Sequence, residues 1–230
     1  LDMSRRVDAV LFDKDGTLFD FEATWTAFAA EVVQTLAGGD AALAACLAAA
    51  IGFDPGQRRY RPDSIVIAGT NREIASVLAA ELPGRDPDGI ERYLAEASAS
   101  APLAEAVPLV PLLTGLAARD LGLGVMTNDS EAAARAQLRV AGIEGMFDFI
   151  AGADSGYGGK PSPLPLLAFA RALRLPPDRV VMVGDSTHDL RAGRAAGMQV
   201  VAVLTGPASA DALAPLADAV LPDIGHLPGW

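Results

Sequence analysis

Short apolar runs that stop abruptly at polar residues recur along this 230-residue chain. Such runs, rich in branched and aromatic side chains, are typical of strands that are buried on both faces of a sheet. They cover residues 9–12, 123–126, 147–150, 180–183 and 200–204, with a weaker edge strand at 219–221. Most of the segments between them carry apolar residues at helical spacing. This alternation predicts an α/β fold, with a Rossmann-like parallel sheet and helices on both of its faces.

The pattern between the first and second predicted strands is almost purely helical. The predicted helices cover residues 21–36, 40–51, 65–82 and 87–98, with an interruption of the third near Gly69-Thr70, and a loop covers 52–62. A long insertion between two strands of one sheet indicates a cap that is joined to the core by two linkers. We expect a catalytic core formed by residues 1–17 and 106–230, and an inserted all-α helical cap formed by residues 18–105.

The acidic composition narrows the possible partners. The formal net charge is −11, which argues against nucleic acid and against an anionic membrane surface as partners. No apolar stretch reaches the roughly 18 residues of a membrane helix, and residues 1–6 lack the pattern of a signal peptide. The single cysteine, Cys46, lies in an Ala/Leu-rich segment that favours a packed, inert thiol. These features predict a reduced, cytoplasmic setting, and they leave the oligomeric state open.

Polar clusters follow four of the predicted strands and loops. The clusters are Asp13 with Asp15, Thr127 with Asn128, Lys160, and Asp185 with Asp189. Because the carboxyl ends of parallel strands lie along one edge of a sheet, we expect the clusters to converge. Several carboxylates share a small site as anions only with a cation, and oxygen ligands favour Mg²⁺. The lysine and the hydroxyl and amide groups suit an anionic oxygen group, so the combination predicts phosphoryl transfer. Taken by themselves, Asp13 and Asp15 fit an acidic turn equally well.

The same segments resemble the motifs of the haloacid dehalogenase superfamily, and within it those of the phosphoglycolate phosphatase-like branch. The matching segments are DKDGT at 13–17, the Thr-Asn pair at 127–128, the Lys-Pro pair at 160–161 and GDSTHD at 184–189. Their order and spacing fit along the whole chain, and the helical block matches a cap inserted after the first motif. The first and last motifs carry the resemblance together, because a Thr-Asn or Lys-Pro pair alone has little specificity.

The resemblance implies a role for each aspartate of these motifs. Asp13 would be the nucleophile that forms an aspartyl-phosphate, and Asp15 the general acid for the leaving alcohol and then the base for water. Mg²⁺ would be held by Asp13, the backbone carbonyl of Asp15, and Asp185, with Asp189 completing the acidic shell directly or through water. Dehalogenases of this superfamily lack an acid at the position of Asp15 and need no Mg²⁺, so this residue indicates phosphatase or phosphomutase chemistry.

The other motif residues are implied to bind the phosphoryl oxygens, through Thr127, the backbone amide of Asn128, and Lys160. Pro161 disfavours a helical backbone at the preceding lysine and is expected to keep it in an extended loop. Lys14 lies between two aspartates in the first motif. Strand alternation predicts that its side chain points to the opposite face from theirs, in a structural or solvated role.

The resemblance also implies that the cap chooses the substrate. Arg58, Arg59 and Arg61 in the predicted cap loop are the candidates for contact with it, although a solvated basic loop fits them equally well. The expected function is a Mg²⁺-dependent phosphatase for a small soluble phosphate monoester, with phosphoglycolate as the family-level substrate. The alternatives are a phosphomutase of the β-phosphoglucomutase type and a non-catalytic protein that binds a phosphorylated ligand. The second is disfavoured because all four core carboxylates are present.

Overall fold

The computed structural model describes residues 7–61 and 63–230. Two parts of the chain lie outside the described residues, namely residues 1–6 of the predicted core and Pro62 of the predicted cap loop. The expectation about a signal peptide rests on residues 1–6. The strands are β1 (Ala9–Phe12), β2 (Phe53–Asp54), β3 (Arg59–Tyr60), β4 (Gly122–Met126), β5 (Phe149–Ala151), β6 (Val180–Gly184), β7 (Gln199–Val203) and β8 (Ala219–Leu221). The helices are α1 (Phe21–Ala37), α2 (Ala41–Ala50), α3 (Asn71–Ala80), α4 (Pro87–Ser98), α5 (Leu109–Ala117), α6 (Glu131–Val140), α7 (Leu164–Leu173), α8 (Thr187–Ala196) and α9 (Ala210–Leu213). None of the helices in the described part of the chain has the length and apolar character needed to cross a membrane.

Six parallel strands form the core sheet, in the order β5-β4-β1-β6-β7-β8. The first strand, β1, lies inside the sheet and pairs in parallel with β4 on one side and with β6 on the other. Its side chains alternate between the two faces of the sheet. Phe12 belongs to the hydrophobic cluster that includes Leu113 of α5, and Leu11 belongs to the cluster that includes Phe169 of α7. Helices therefore cover both faces of a parallel sheet, which confirms the predicted fold class.

Helices α1 to α4 pack around a hydrophobic cluster of their own, separate from the clusters on the sheet. Its buried members include Phe21, Val32, Leu47, Leu78 and Leu94, with at least one from each helix. A unit with its own core is what an inserted cap requires. Helices α1 to α4 therefore form a unit with its own core, and the division into residues 1–17 with 106–230 and 18–105 stays a prediction.

The cap departs from the predicted pattern at its loop. The expected loop at 52–62 contains the short antiparallel pair β2–β3. The helical segment predicted over 65–82 is interrupted near Gly69-Thr70, as expected, because a 3₁₀ turn at Ile65–Ile67 precedes the helix α3. The break lies where Thr70 and Glu73 form a reciprocal capping box, which starts a new helix by satisfying its first backbone donors.

Cys46 is exposed, so the expectation of a packed thiol is wrong. The buried residues of α2 are Ala44, Leu47 and Ala48, and Cys46 lies outside that stripe. In a segment made almost entirely of Ala and Leu, the apolar pattern does not distinguish one helical face from another. Only the packing of α2 on its neighbours decides which face is buried.

Candidate active site

The carboxyl ends of β1, β4 and β6 bring three of the predicted polar clusters together. The sheet pairing continues one residue beyond the strands, through hydrogen bonds from Asp13 N to Val183 O (2.8 Å) and from Thr127 N to Ala151 O (3.0 Å). Asp185 directly follows β6. The structure therefore places these side chains on neighbouring strand ends, as parallel topology predicts.

Lys160 joins them from the loop between β5 and α7, where its peptide bond to Pro161 is cis. Its ammonium contacts Asp13 Oδ1, lies 2.7 Å from Asp189 Oδ1, and donates to Met126 O at 2.9 Å. Burial lowers the pKa of Lys160, but the charges of the two aspartates outweigh that effect, so the net shift of its pKa is upward. Lys160 is therefore a charged group held between two carboxylates.

Asp13, Asp185 and Asp189 form a buried cluster of carboxylates. Each offers one oxygen, and these oxygens lie within 4.8 Å of one another. Burial raises the pKa of Asp13 to about 7 and the pKa of Asp185 well above its usual value. The neighbouring aspartates add to this shift, and the charge of Lys160 opposes it. Asp185 Oδ2 is buried and has no hydrogen-bond partner among the described residues. A bound cation would offset the cost of such an oxygen, and the all-carboxylate donor set suits a hard divalent ion.

Asp189 holds the start of α8 with one carboxylate oxygen and faces Lys160 with the other. Its Oδ2 accepts hydrogen bonds from the backbone N (3.0 Å) and the hydroxyl (2.6 Å) of Ser186 in a capping box at the start of α8. Its Oδ1 faces Lys160. Asp185 Oδ2 and Asp189 Oδ1 are both buried without a hydrogen-bond partner among the described residues, so both carboxylates are candidates for contact with a metal.

The side chain of Asn128 fastens the lysine loop to both the core and the cap. Its Oδ1 accepts from Lys160 N at 2.8 Å, while its Nδ2 donates to Lys160 O at 2.9 Å and to Ala68 O of the cap at 2.7 Å. Nearby, Thr127 Oγ1 accepts from Asp129 N at 3.1 Å. The structure thus brings the three residues predicted to bind phosphoryl oxygens into one corner of the site. The backbone amide of Asn128 stays the predicted ligand.

Lys14 is a buried ion-pair partner, which is the structural one of the two roles that the sequence left open. Its Nζ lies 2.9 Å from Asp15 Oδ2 and 3.4 Å from Asp129 Oδ2, and it donates to Gln137 Oε1. The expectation that it points away from Asp15 is wrong, because β1 ends before the motif and strand alternation no longer applies there. Trp25 Nε1 donates to Asp15 Oδ1 at 2.9 Å. The side chain of Asp15 therefore lies between a buried lysine and an indole of the cap.

Asp129 connects the core to the cap. Its Oδ1 accepts from Asn71 Nδ2 of α3 at 2.8 Å, and the neighbouring Gln137 Nε2 donates to Ser98 O of α4 at 2.6 Å. Burial raises the pKa of Asp129, and the charge of Lys14 opposes that shift. No motif in the sequence marks this network. The available cue was that the chain uses only two lysines and that one of them lies in the first motif.

A cavity with a volume of about 80 Å³ lies between the sheet edge and the cap. The core lines it with Asp13, Asp15 and Lys160, and the cap lines it largely with apolar side chains such as Phe28 and Ile67. A single water needs roughly 10–15 Å³ on this scale. The free space therefore suits a small group placed against the carboxylates.

Arg58, Arg59 and Arg61 lie in or beside the β2–β3 hairpin, are exposed, and do not line this cavity. Arg61 pairs with Asp63 at 3.3 Å and donates to Ala49 O at 3.1 Å. In this structure the three arginines are not brought to the site. Their contact with substrate stays a prediction.

Comparisons with known proteins give a consistent family. The model of haloacid dehalogenase-like hydrolases matches residues 7–197. A phosphoglycolate phosphatase from Xylella fastidiosa is 33% identical over 201 residues, which cover 86% of this chain and 80% of the relative. A phosphoglycolate phosphatase from Rhodospirillum rubrum is 38% identical over 119 residues, so this match spans only about half of each protein (52% and 49%). The crystal structure of a haloacid dehalogenase-like hydrolase from Bacteroides fragilis shares the fold, with a TM-score of 0.74 at 21% identity over 96% of this chain and 99% of that one.

Proposed function

We propose that this chain, which belongs to the haloacid dehalogenase-like hydrolases, is a Mg²⁺-dependent phosphatase for a small phosphate monoester. The observation that carries the proposal is the position of Lys160 between the carboxylates of Asp13 and Asp189. A carboxylate beside a fixed cation and an acidic cluster is what phosphoryl transfer to an aspartate requires, since positioning and charge neutralisation dominate that chemistry. The names of the relatives make 2-phosphoglycolate the first ester to assay.

In the first proposed step, a carboxylate oxygen of Asp13 attacks phosphorus while the bond between phosphorus and the ester oxygen breaks. The departing oxygen takes the proton of the Asp15 carboxyl, so that the products are a free alcohol and a phosphorylated Asp13. Contacts with Lys14 and Trp25 hold the side chain of Asp15, which supports a role that depends on a fixed orientation. General acid–base help of this kind is typically worth about 10²–10⁴-fold.

In the second proposed step, a water molecule attacks the phosphorus of phosphorylated Asp13. Asp15 takes a proton from this water, and the bond between phosphorus and the Asp13 oxygen breaks. Inorganic phosphate leaves, and both carboxyl groups return to their starting states. Throughout, Lys160, Thr127 and the backbone amide of Asn128 are proposed to donate hydrogen bonds to the phosphoryl oxygens.

The chemistry of the donors in the acidic cluster fits Mg²⁺. The proposed ligands are Asp13, the backbone carbonyl of Asp15, and Asp185, with Asp189 beside them. The buried, unpaired oxygen of Asp185 supports this assignment. When bound, the ion would neutralise charge on the phosphoryl group. A cytoplasmic setting is part of the proposal, and it rests on the use of a single cysteine.

The test is a panel of phosphate monoesters incubated with Mg²⁺, with release of inorganic phosphate as the readout. We expect release from at least one ester by the native protein and none by Asp13→Asn, whose amide keeps the shape of the carboxylate but is not nucleophilic. Thermal melting of the variant checks that it is folded. Phosphate release by folded Asp13→Asn would contradict the assignment of the nucleophile. Formation of an isomeric phosphate ester without free phosphate would indicate a phosphomutase, and no reaction with any ester would contradict the function.

A further inference from the structure

The cavity beside the proposed catalytic aspartates favours one chemical class of leaving group. We propose that this leaving group is uncharged and apolar, so that the protein prefers an alkyl or aryl phosphate to 2-phosphoglycolate. The inference rests on the proposed phosphatase function, because it names the alcohol of the ester that the same site would cleave. Its support comes from the apolar lining, the engaged polar atoms and the placement of cations around the cavity.

The cap side of the cavity is largely hydrocarbon. Phe28 and Val32 of α1, Ile67 of the 3₁₀ turn, Ile74 of α3 and Leu94 of α4 line it. Phe28, Ile67 and Ile74 are only half-buried, so apolar surface is left that a ligand can cover. Covering it favours a hydrocarbon group, whereas a carboxylate would lose its hydration without gaining a partner.

The side-chain donors of the cap at this cavity already have acceptors within the protein. Tyr60 Oη donates to Trp25 O at 2.9 Å, Trp25 Nε1 donates to Asp15 at 2.9 Å, and Asn71 Nδ2 donates to Asp129 at 2.8 Å. Because Trp25 and Tyr60 each have a single donor hydrogen, a carboxylate on the leaving group would have to displace the existing bond to obtain a donor from either of them. An apolar group leaves all three bonds intact.

The carboxylate of 2-phosphoglycolate would also lack a cation. Among the described residues, the basic side chains that line the cavity are Lys160 and His188, and both belong to the core. Lys160 already lies between Asp13 and Asp189, and it is proposed to serve the phosphoryl group. The four aspartates that line the same space already pair with Lys14 or Lys160, so neither lysine is left for a further carboxylate.

Isobutyl phosphate and 2-phosphoglycolate distinguish the two classes, because an isopropyl group in the first replaces the carboxylate of the second at similar size. We expect kcat/KM, measured by phosphate release with Mg²⁺, to be at least about 10-fold higher for isobutyl phosphate, since one methylene in an apolar pocket is worth roughly that factor. Intrinsic reactivity does not favour this result, because the carboxylate-bearing alkoxide is the better leaving group. Equal values, or a preference for 2-phosphoglycolate, overturn the inference and leave the phosphatase function in place. No phosphate release from any ester overturns the proposed function itself.

Ile67→Arg introduces a cation at a half-buried position of the cavity, and Ile67→Met is the matched uncharged control. We expect the arginine variant to shift the ratio of the two kcat/KM values at least about 10-fold towards 2-phosphoglycolate, and the methionine variant to keep the native ratio. If Ile67→Arg does not melt cooperatively, Phe28→Lys replaces it with the same expectation. Equal ratios in the charged and uncharged variants overturn the inference.

His188→Asn and Arg61→Met test two basic side chains as alternative partners for the carboxylate of 2-phosphoglycolate. His188 lines the cavity, and Arg61 represents the exposed arginines near the hairpin. Neither substitution should change the ratio of the two kcat/KM values if the leaving group is apolar. A selective loss of 2-phosphoglycolate cleavage in either variant identifies a cation that binds its carboxylate, and this overturns the inference.

Discussion

Replacing Lys14 by methionine removes a charge whose surroundings the structure defines closely. The ammonium is fully buried, contacts Gln137, and lies 2.9 Å from Asp15 and 3.4 Å from Asp129. Methionine keeps an unbranched apolar stem of similar length and loses only the charged head. Lys14→Met therefore leaves two carboxylates without the cation that lies between them.

The expected loss of stability follows from the burial of these groups. Removing one partner of a buried ion pair costs about 3–5 kcal/mol, because the remaining charge stays away from water. Asp129 is almost fully buried, whereas the Asp15 side chain is 17% exposed and regains part of its hydration. We therefore expect the free energy of unfolding to fall by about 3 kcal/mol, the lower end of that range. Since domains are stable by only about 5–15 kcal/mol, this loss is large.

Urea unfolding followed by circular dichroism measures the change, and a double-mutant cycle with Asp129→Asn isolates the pair. In the Lys14→Met background the asparagine removes an unpaired charge, so its cost should be lower than in the native background by about 1–2 kcal/mol. Arg72→Met is the matched control, because Arg72 also pairs with two acids, Asp88 and Glu91, but at an exposed position, and its loss should change stability little. A Lys14→Met protein as stable as the native one, or strictly additive effects in the cycle, would refute the reasoning.

Three further predictions address the proposed chemistry. Asp15→Asn should slow both formation and breakdown of the phosphorylated enzyme by about 10²–10⁴-fold in single-turnover experiments, and normal rates in both steps would assign the acid–base role elsewhere. Gly206→Ala should weaken Mg²⁺ binding by about 10–100-fold in a calorimetric titration, because the added Cβ would overlap the carboxylate of Asp185; an unchanged affinity would remove Asp185 from the metal site. Without metal, burial raises the pKa of Asp13 from 3.8 to about 7, so its contribution to stability is fully present below pH 3.8 and is lost as the pH rises through 7. Mg²⁺ stabilises the charged form, so it should raise Tm more at pH 8 than at pH 6, and equal shifts would contradict binding at Asp13.

The sheet could be predicted because its strands are buried on both faces. A strand such as β6 needs apolar residues at every position, and this produces a continuous run that ends where the chain leaves the sheet. The cap was harder to predict in detail. Its hairpin β2–β3 has two residues in each strand, which is too short to produce a periodic pattern. The exposure of Cys46 was unpredictable for a related reason, since α2 is apolar all round and the sequence does not show which side packs.

The candidate site was predictable to the extent that it consists of residues directly after strands. Asp13, Thr127 and Asp185 follow β1, β4 and β6, and parallel pairing alone brings them to one edge. Lys14 and Gln137 are also close in space, but they are separated by more than a hundred residues and follow no such rule. Their contact depends on how the first loop turns after β1 and on how α6 packs beside it.

The amino-acid sequence by itself determined the positions of the sheet strands along the chain, the family and the polar groups at the carboxyl edge of the sheet. It could do so because buried strands produce local apolar runs, the family is marked by its motifs, and the ends of parallel strands lie along one edge of the sheet. The tertiary structure decided what surrounds that edge. It buries Lys14 against Asp15, leaves Arg61 and its neighbours exposed, and lines the cap side of the cavity with hydrocarbon. These features depend on which faces of the cap helices meet the core, and that choice is made by packing between segments that are distant in the chain.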